Sequence, residues 1–316
     1  MGNPGLIRAA SDRIAGGQLD GPSKSVAARP LRQRTNLPHA LTSFIGRERE
    51  LDEVCRLLRS GPLLTLVGPG GAGKTRLALE AGRRLLDVFP DGVWLVELAA
   101  HGQSPTVAVA VAEIVGAPEE RHRDRVDVLV DHIQDRDALL ILDNCEHVVQ
   151  ACAELAERLL RTCPNLRILS TSREVLGTAG EIAWPVPPLE LPRAEDSRLS
   201  DAAANAAAVR LFAERAGAAR SGFVLRQEDV PAVVDICVRL DGLPLAIELA
   251  AARTPVLTPA DIASRLNDRF RLLASSGRTA APRHQTLRAT IEWSHDVLNP
   301  QERMLSISRP VVRRST

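Results

Sequence analysis

A chain of 316 residues, 45% hydrophobic and 25% charged, with a formal net charge of +1, has room for one sizeable domain and one or two smaller ones. The near-neutral balance gives no general attraction to nucleic acid or anionic lipid, and no apolar run reaches the length of a membrane span. With no apolar h-region near the N-terminus, the expected location is cytoplasmic. Five cysteines, an odd number without a C-x-x-C pair, point to buried reduced thiols rather than a disulfide framework or a zinc site. The seven histidines lack metal-ligand spacing.

Residues 1–36 are rich in Gly, Ala and Arg and carry six basic against two acidic side chains. This bias predicts a disordered arm; a basic nucleic-acid arm is the competing reading, unsupported by aromatics or periodicity. Order is expected from Leu37-Pro38. In TSFIGRERELDEVCRLL (42–58) an apolar pair and a glycine precede an amphipathic helix with Leu51, Val54, Leu57 and Leu58 on one face. Two readings stay open for Phe44, Ile45 and Gly46: the lead-in to a packing helix, or a backbone rim around an adenine ring.

PLLTLV (62–67) reads as a buried parallel strand, and RLALEAGRRLLDVF as a helix with Leu77, Leu85 and Val88 at helical spacing. Between them stands GPGGAGKT (68–75), which fits the G-x-x-x-x-G-K-[ST] phosphate-binding pattern in its required strand–loop–helix setting. A polyphosphate needs several N–H donors converging on it, as where backbone amides turn inward at a helix N-terminus. Gly68, Gly70, Gly71 and Gly73 are expected to let the backbone adopt positive φ and approach the anion without Cβ clashes. Together with Pro69, Ala72 and Arg76 they make up the expected phosphate-contacting loop. Lys74 is expected to reach the β- and γ-phosphates, and the Thr75 hydroxyl to ligate Mg²⁺.

VWLVELA (93–99) is a second predicted strand, followed by helical patterns around 107–115 and 126–133. ALLILDNCEHV (138–148) is a third strand ending in Asp143. A run of bulky aliphatics ending in Asp downstream of a phosphate loop is the Walker B arrangement, with the carboxylate holding Mg²⁺ through water; the plainer alternative is a helix N-cap. A helix with Val148, Ala151, Cys152, Leu155 and Leu159 on one face follows. In NLRILSTSRE (165–174), RILS is a fourth strand and Arg173 stands at its end. There it can sense a γ-phosphate, or it is a solvated loop arginine. Strands alternating with helices predict a parallel α/β sheet. The proline-dense WPVPPLELP (184–192) reads as the exit from that sheet. Helices are expected beyond it at 202–219, 230–240, 245–253 and 259–266, with Gly242 ending one helix and Pro244 starting the next.

GREREL, GPGGAGKTRLA, LLILDNCEH, ILSTSRE and GLPLAIELAAAR, in that order, give a chain that resembles the STAND signal-transduction ATPases, and within them the NB-ARC/AP-ATPase branch found in large bacterial transcriptional regulators. The resemblance covers about residues 37–302. It implies a P-loop NTPase domain at 37–192, a helical domain at 193–278 and a partial winged-helix region at 279–316. It further implies ATP or ADP between the first two domains, with Pro244 against the nucleotide and Arg173 near the γ-phosphate. In the family ADP holds the domains closed, while ATP opens them, often into an oligomer.

Three departures stand out. Asn144 follows Asp143 where many relatives carry a second acid, which predicts slow hydrolysis; Glu146 is a candidate substitute, or an acid favoured by a helix dipole. After QERMLSIS the sequence departs from the winged-helix pattern, and the family's sensor and effector modules are lacking, so the expectation is a C-terminally truncated regulator. The leading reading is an ATP/ADP switch with Mg²⁺-dependent hydrolysis in which Lys74, Asp143 and Arg173 act, with adenine nucleotide as the partner, homo-oligomers in the ATP state and no direct DNA binding. The alternatives are a dedicated P-loop phosphotransferase, for which no acceptor-site base is found, and a non-functional fragment.

Overall fold

The computed structural model describes residues 34–98, 106–192 and 201–274. The predicted winged-helix region at 279–316, and residues 1–33 of the predicted arm, lie outside these. Helix α1 (Glu48–Ser60) precedes β1 (Leu63–Val67) and α2 (Lys74–Arg84). Then come β2 (Val93–Glu97), α3 (Thr106–Val115), α4 (Arg125–Ile133), β3 (Leu139–Asp143), α5 (Val149–Thr162), β4 (Arg167–Ser172) and β5 (Glu181–Pro185). All pairings are parallel and the strand order is β2-β3-β4-β1-β5.

Strands β1 and β3 are short and mostly apolar because both faces of the sheet are covered there. Alternation divides the sheet's side chains between two cores. Leu64, Leu66, Leu139, Ile141 and Leu169 pack with α1 and α2, whereas Leu63, Leu140, Leu142 and Ile168 pack with α3, α4 and α5. The sheet interior carries one matched polar pair, the buried Thr65 and Ser170 hydroxyls, 2.6 Å apart on directly opposed residues of β1 and β4. A one-residue slip would leave both unpaired in an apolar layer, so the pair helps fix the register.

Ahead of α1, Thr35 bridges to Val93. Asn36 meets the backbone of Leu95 at the β2 edge, accepting from its N–H at 2.7 Å and donating to its carbonyl at 2.8 Å. Order therefore begins before Leu37. At the opposite edge, Trp184 and Pro185 of the proline-dense stretch end β5. The stretch expected as the exit from the sheet thus begins inside a fifth strand and leaves the sheet after Pro185, and an edge position tolerates a residue without an N–H. Helix α2 stops at Arg84, leaving Val88 outside it and exposed.

Helices α6 (Asp201–Asn205), α7 (Ala207–Ala219), α8 (Val230–Arg239), α9 (Pro244–Ala251) and α10 (Pro259–Ala274) enclose a third core around Phe212, Val233, Ile236 and Ile247. The single helix expected at 202–219 is broken at Ala206, whose ψ of 140° is extended. The Ala208 N–H there donates to the carbonyl of Glu190 (3.1 Å), a tertiary partner that an alanine run does not announce. The helical region meets the sheet through segment 44–47. Phe44 packs on the α1/α2 core and Ile45 on the helical core, and a Cβ on Gly46 would lie 2.2 Å from the Ala207 methyl. The five cysteines are buried free thiols, and no helix among the described residues is long and apolar enough to cross a membrane.

Replacing Thr65 with Val strands the Ser170 hydroxyl and is expected to cost about 1–3 kcal/mol in urea unfolding. Adding Ser170→Ala, which removes both hydroxyls, should restore part of that loss.

Candidate functional site

The phosphate-binding motif spans the turn from the C-terminal end of β1 into α2. The Gly68 N–H donates to the Ser172 carbonyl of β4 (3.3 Å), and Ala72 N–H donates to the Pro69 carbonyl (3.3 Å). Gly71 (φ 76°) and Gly73 (φ 86°) are left-handed, so a side chain at either would strain the loop. Gly68 and Gly70 are not in that region, so the conformational argument made for all four glycines holds at two. Lys74, the first residue of α2, is buried. Its ammonium donates to the loop's own carbonyls, Gly68 O at 2.9 Å and Pro69 O at 3.1 Å. Burial pushes this ammonium below the usual lysine range, and Glu146 is the strongest charge opposing that shift, followed among the acids by Asp143.

Thr75 and Asp143 stand together: the Thr75 hydroxyl donates to Asp143 Oδ1 at 2.7 Å, and so does the Thr171 hydroxyl of β4, also at 2.7 Å. The backbone N–H of Asn144 in turn donates to Thr171 Oγ1 (2.9 Å). Arg173, just past β4, is half-exposed, and its Nε donates to Glu146 Oε1 at 3.1 Å. Arg76 turns the other way, with its guanidinium on Thr42 Oγ1 (2.6 Å) and the Ser43 carbonyl (2.6 Å).

Lys74, Thr75, Asn144, Glu146, Thr171, Arg173 and Pro244 all line one open cleft of about 730 Å³, with Gly70, Gly71, Gly73 and Arg76 at its floor. A smaller niche continues from it between Phe44, Ile45, Arg47, Gly73, Leu189 and Pro244. The helical region closes on the loop: the Leu245 N–H donates to the Gly71 carbonyl (3.3 Å), and Pro244 Cγ lies 3.7 Å from where a Gly73 Cβ would be. The donor set fits a polyphosphate, with two cationic side chains and a positive-φ loop leading into a helix N-terminus. The Thr75–Asp143 pair fits a hard divalent cation, which favours oxygen ligands.

Sequence reasoning missed Arg47. It precedes α1 inside the charged string GRERE, where a solvated side chain is the ordinary outcome, yet it is 3% exposed. One nitrogen donates to the Pro187 carbonyl (2.8 Å); Nε and Nη1 have no hydrogen-bond partner among the described residues. Burial lowers its pKa, but a guanidinium stays charged.

With this geometry in place, residues 38–175 match the family model described as "Novel STAND NTPase 1". An uncharacterized protein of Mycobacterium tuberculosis (strain H37Rv) is 45% identical over 265 residues, which are 84% of this chain and 64% of that protein. A second protein of the same strain, provisionally assigned as an HTH-type transcriptional regulator, is 45% identical over 249 residues, 79% of this chain and 26% of its own length. The chain thus spans less than two thirds of these relatives. Among solved structures, a Pyrococcus horikoshii STAND protein with a tetratricopeptide repeat sensor superposes with a TM-score of 0.49 at 15% identity, over 85% of this chain and 34% of that one. The glycine loop, the aspartate that ends β3 and the family match lead to one conclusion: residues 38–175 form a STAND NTPase domain of the nSTAND1 group, and the chain is homologous, over part of their length, to bacterial proteins provisionally assigned as regulators.

Proposed function

We propose that the chain is a nucleotide-dependent conformational switch, binding ATP and ADP between a sheet unit (37–192) and a helical unit (193–278) and hydrolysing ATP slowly. The observation that carries this reading is the contact between the helical region and the phosphate loop, the hydrogen bond from Leu245 N–H to Gly71 O and the packing of Pro244 beside Gly73. Whatever enters the loop alters the surface on which α9 rests. A ligand moves such an equilibrium only by binding its two arrangements with different affinity.

In this proposal the loop from Gly68 to Thr75 binds the phosphates, and Lys74 exchanges its two carbonyl partners for them. Segment 44–47 and Pro244 border the base. Thr75 and Asp143 would hold Mg²⁺, and the cation would supply neutralisation of phosphate charge. Arg173 leaves Glu146 to meet the terminal phosphate. The reading carries a cytoplasmic location, where buried cysteines stay reduced, and assembly of like chains in the ATP state; it assigns no direct DNA contact to this chain.

Purified protein denatured and analysed by chromatography should release stoichiometric adenine nucleotide, expected as ADP. Lys74→Ala should weaken binding by roughly ten- to a hundredfold in a fluorescent-nucleotide titration, since charge-assisted hydrogen bonds are worth about 1.5–3 kcal/mol; unchanged affinity would remove the site. Arg173→Ala should weaken ATP more than ADP, and equal losses would take away its contact with the terminal phosphate.

A further inference from the structure

Glu146, the candidate substitute for the missing second acid, lines the cleft but has no task in the switch as proposed above. Glu146 lies in a 3₁₀ turn, Cys145–His147, directly after β3. The turn is set by Asn144, whose backbone is left-handed at φ 67°, a conformation that Asn adopts more readily than most residues. The kink brings Glu146 back to the cleft beside Lys74, Thr75 and Arg173. Its side chain is only 10% exposed, and a desolvated carboxylate needs partners. It has two. Arg173 Nε stands 3.1 Å from Oε1, and the Asn144 amide, with its nitrogen assigned toward the acid, donates to Oε1 at 2.8 Å and Oε2 at 3.0 Å.

The two partners differ in what holds them. Asn144 is fixed through its backbone, by its N–H on Thr171. Arg173 is 54% exposed and long enough to change partner. Glu146 and Lys74 line the same cleft, which places the carboxylate close to the proposed phosphate-binding position. The carboxylate is therefore held in the cleft by Asn144 and masked there by Arg173, a cation that a third phosphate would attract.

Resting on the nucleotide reading above, we propose that Glu146 is the water-orienting base of this site and that its ion pair with Arg173 is a latch, opened when the terminal phosphate of a nucleoside triphosphate takes the guanidinium. A diphosphate leaves the latch closed. Once unmasked, Glu146 accepts a proton from a water molecule as that water's oxygen bonds to the terminal phosphorus. The bond from phosphorus to the bridging oxygen breaks, its electron pair leaves with the diphosphate, and Glu146 returns the proton to solvent. The Asn144 that departs from the family's acidic pair then has a physical role: it orients a carboxylate two residues further on.

The test is a set of titrations on the whole chain with ADP and with the β,γ-imido analogue of ATP, beside phosphate release from ATP. The proteins compared are wild type, Glu146→Gln, Arg173→Ala and the double variant. Glu146→Gln should still bind ADP, which also reports an intact fold, and should raise the triphosphate-to-diphosphate affinity ratio about two- to fivefold, the range expected for breaking a half-exposed ion pair. That gain should vanish when Arg173→Ala is added. Phosphate release by Glu146→Gln should fall about a hundredfold or more, to the level of the protein-free blank. An unchanged triphosphate-to-diphosphate affinity ratio in Glu146→Gln, or a gain that survives Arg173→Ala, overturns the latch. Release at the wild-type rate in Glu146→Gln, or wild-type protein that binds ATP without releasing phosphate, overturns the base. A wild type that binds neither nucleotide refutes the switch reading itself, so the two failures are told apart.

Discussion

One oxygen of Asp143 accepts two hydroxyls, from Thr75 at the start of α2 and from Thr171 in β4. Through it the phosphate loop, the strand that ends in the acid and the next strand of the sheet are locked at one point. Thr171 is occupied on its other side by the Asn144 N–H, so the same small network sets the left-handed turn that carries Glu146. A buried carboxylate is costly unless its hydrogen bonds are made, and here they are made by residues that also shape the cleft. The loop is closed by a second device, the Lys74 ammonium bonded to its own loop carbonyls. These contacts hold the cradle's shape, and in the proposed switch they are the contacts a polyphosphate displaces.

A second level of organisation joins the sheet to the helices. Segment 42–47 passes between them and is gripped from both sides. Arg76 of α2 holds the backbone of Thr42 and Ser43, and Arg215 of α7 donates to Ser43 O (3.3 Å) and to Glu248 of α9 (2.9 Å). Arginine suits such a place because its planar fork serves several acceptors at once. Arg47 adds a buried cation beside Gly73, satisfied on one nitrogen by the Pro187 carbonyl. The niche next to the phosphate loop is thus bordered by residues from five separate stretches of chain, and its shape depends on the sheet and helices staying docked.

The parts of this arrangement that were legible in the sequence share a cause. Strands β1 and β3 are buried on both faces and appear as apolar runs, broken only by Thr65 and the closing Asp143, while the glycine loop is legible because phosphate chemistry restricts which residues can stand there. Strand β5 was hidden because it is half-exposed and ends in proline, and only its pairing with β1 makes it a strand. The break between α6 and α7 depends on Glu190, and the burial of Arg47 on Pro187, 140 residues away. The pairing of Glu146 with Arg173 spans 27 residues and a left-handed Asn that local propensity does not require. Periodicity and motif spacing describe a chain's near neighbours. Much of what the sequence concealed is set by groups that folding brings in from elsewhere.

The near-collision at Gly46 has a consequence for how the two regions can come apart. Where a hydrogen atom of one residue faces the methyl of Ala207, the seam is narrower than any larger pair of side chains would allow. At Gly46 no side chain stands between the two regions to stretch if they part as the proposed switch requires. The seam's dispersion contacts fade steeply over a fraction of an ångström, which favours parting as a discrete click over gradual loosening.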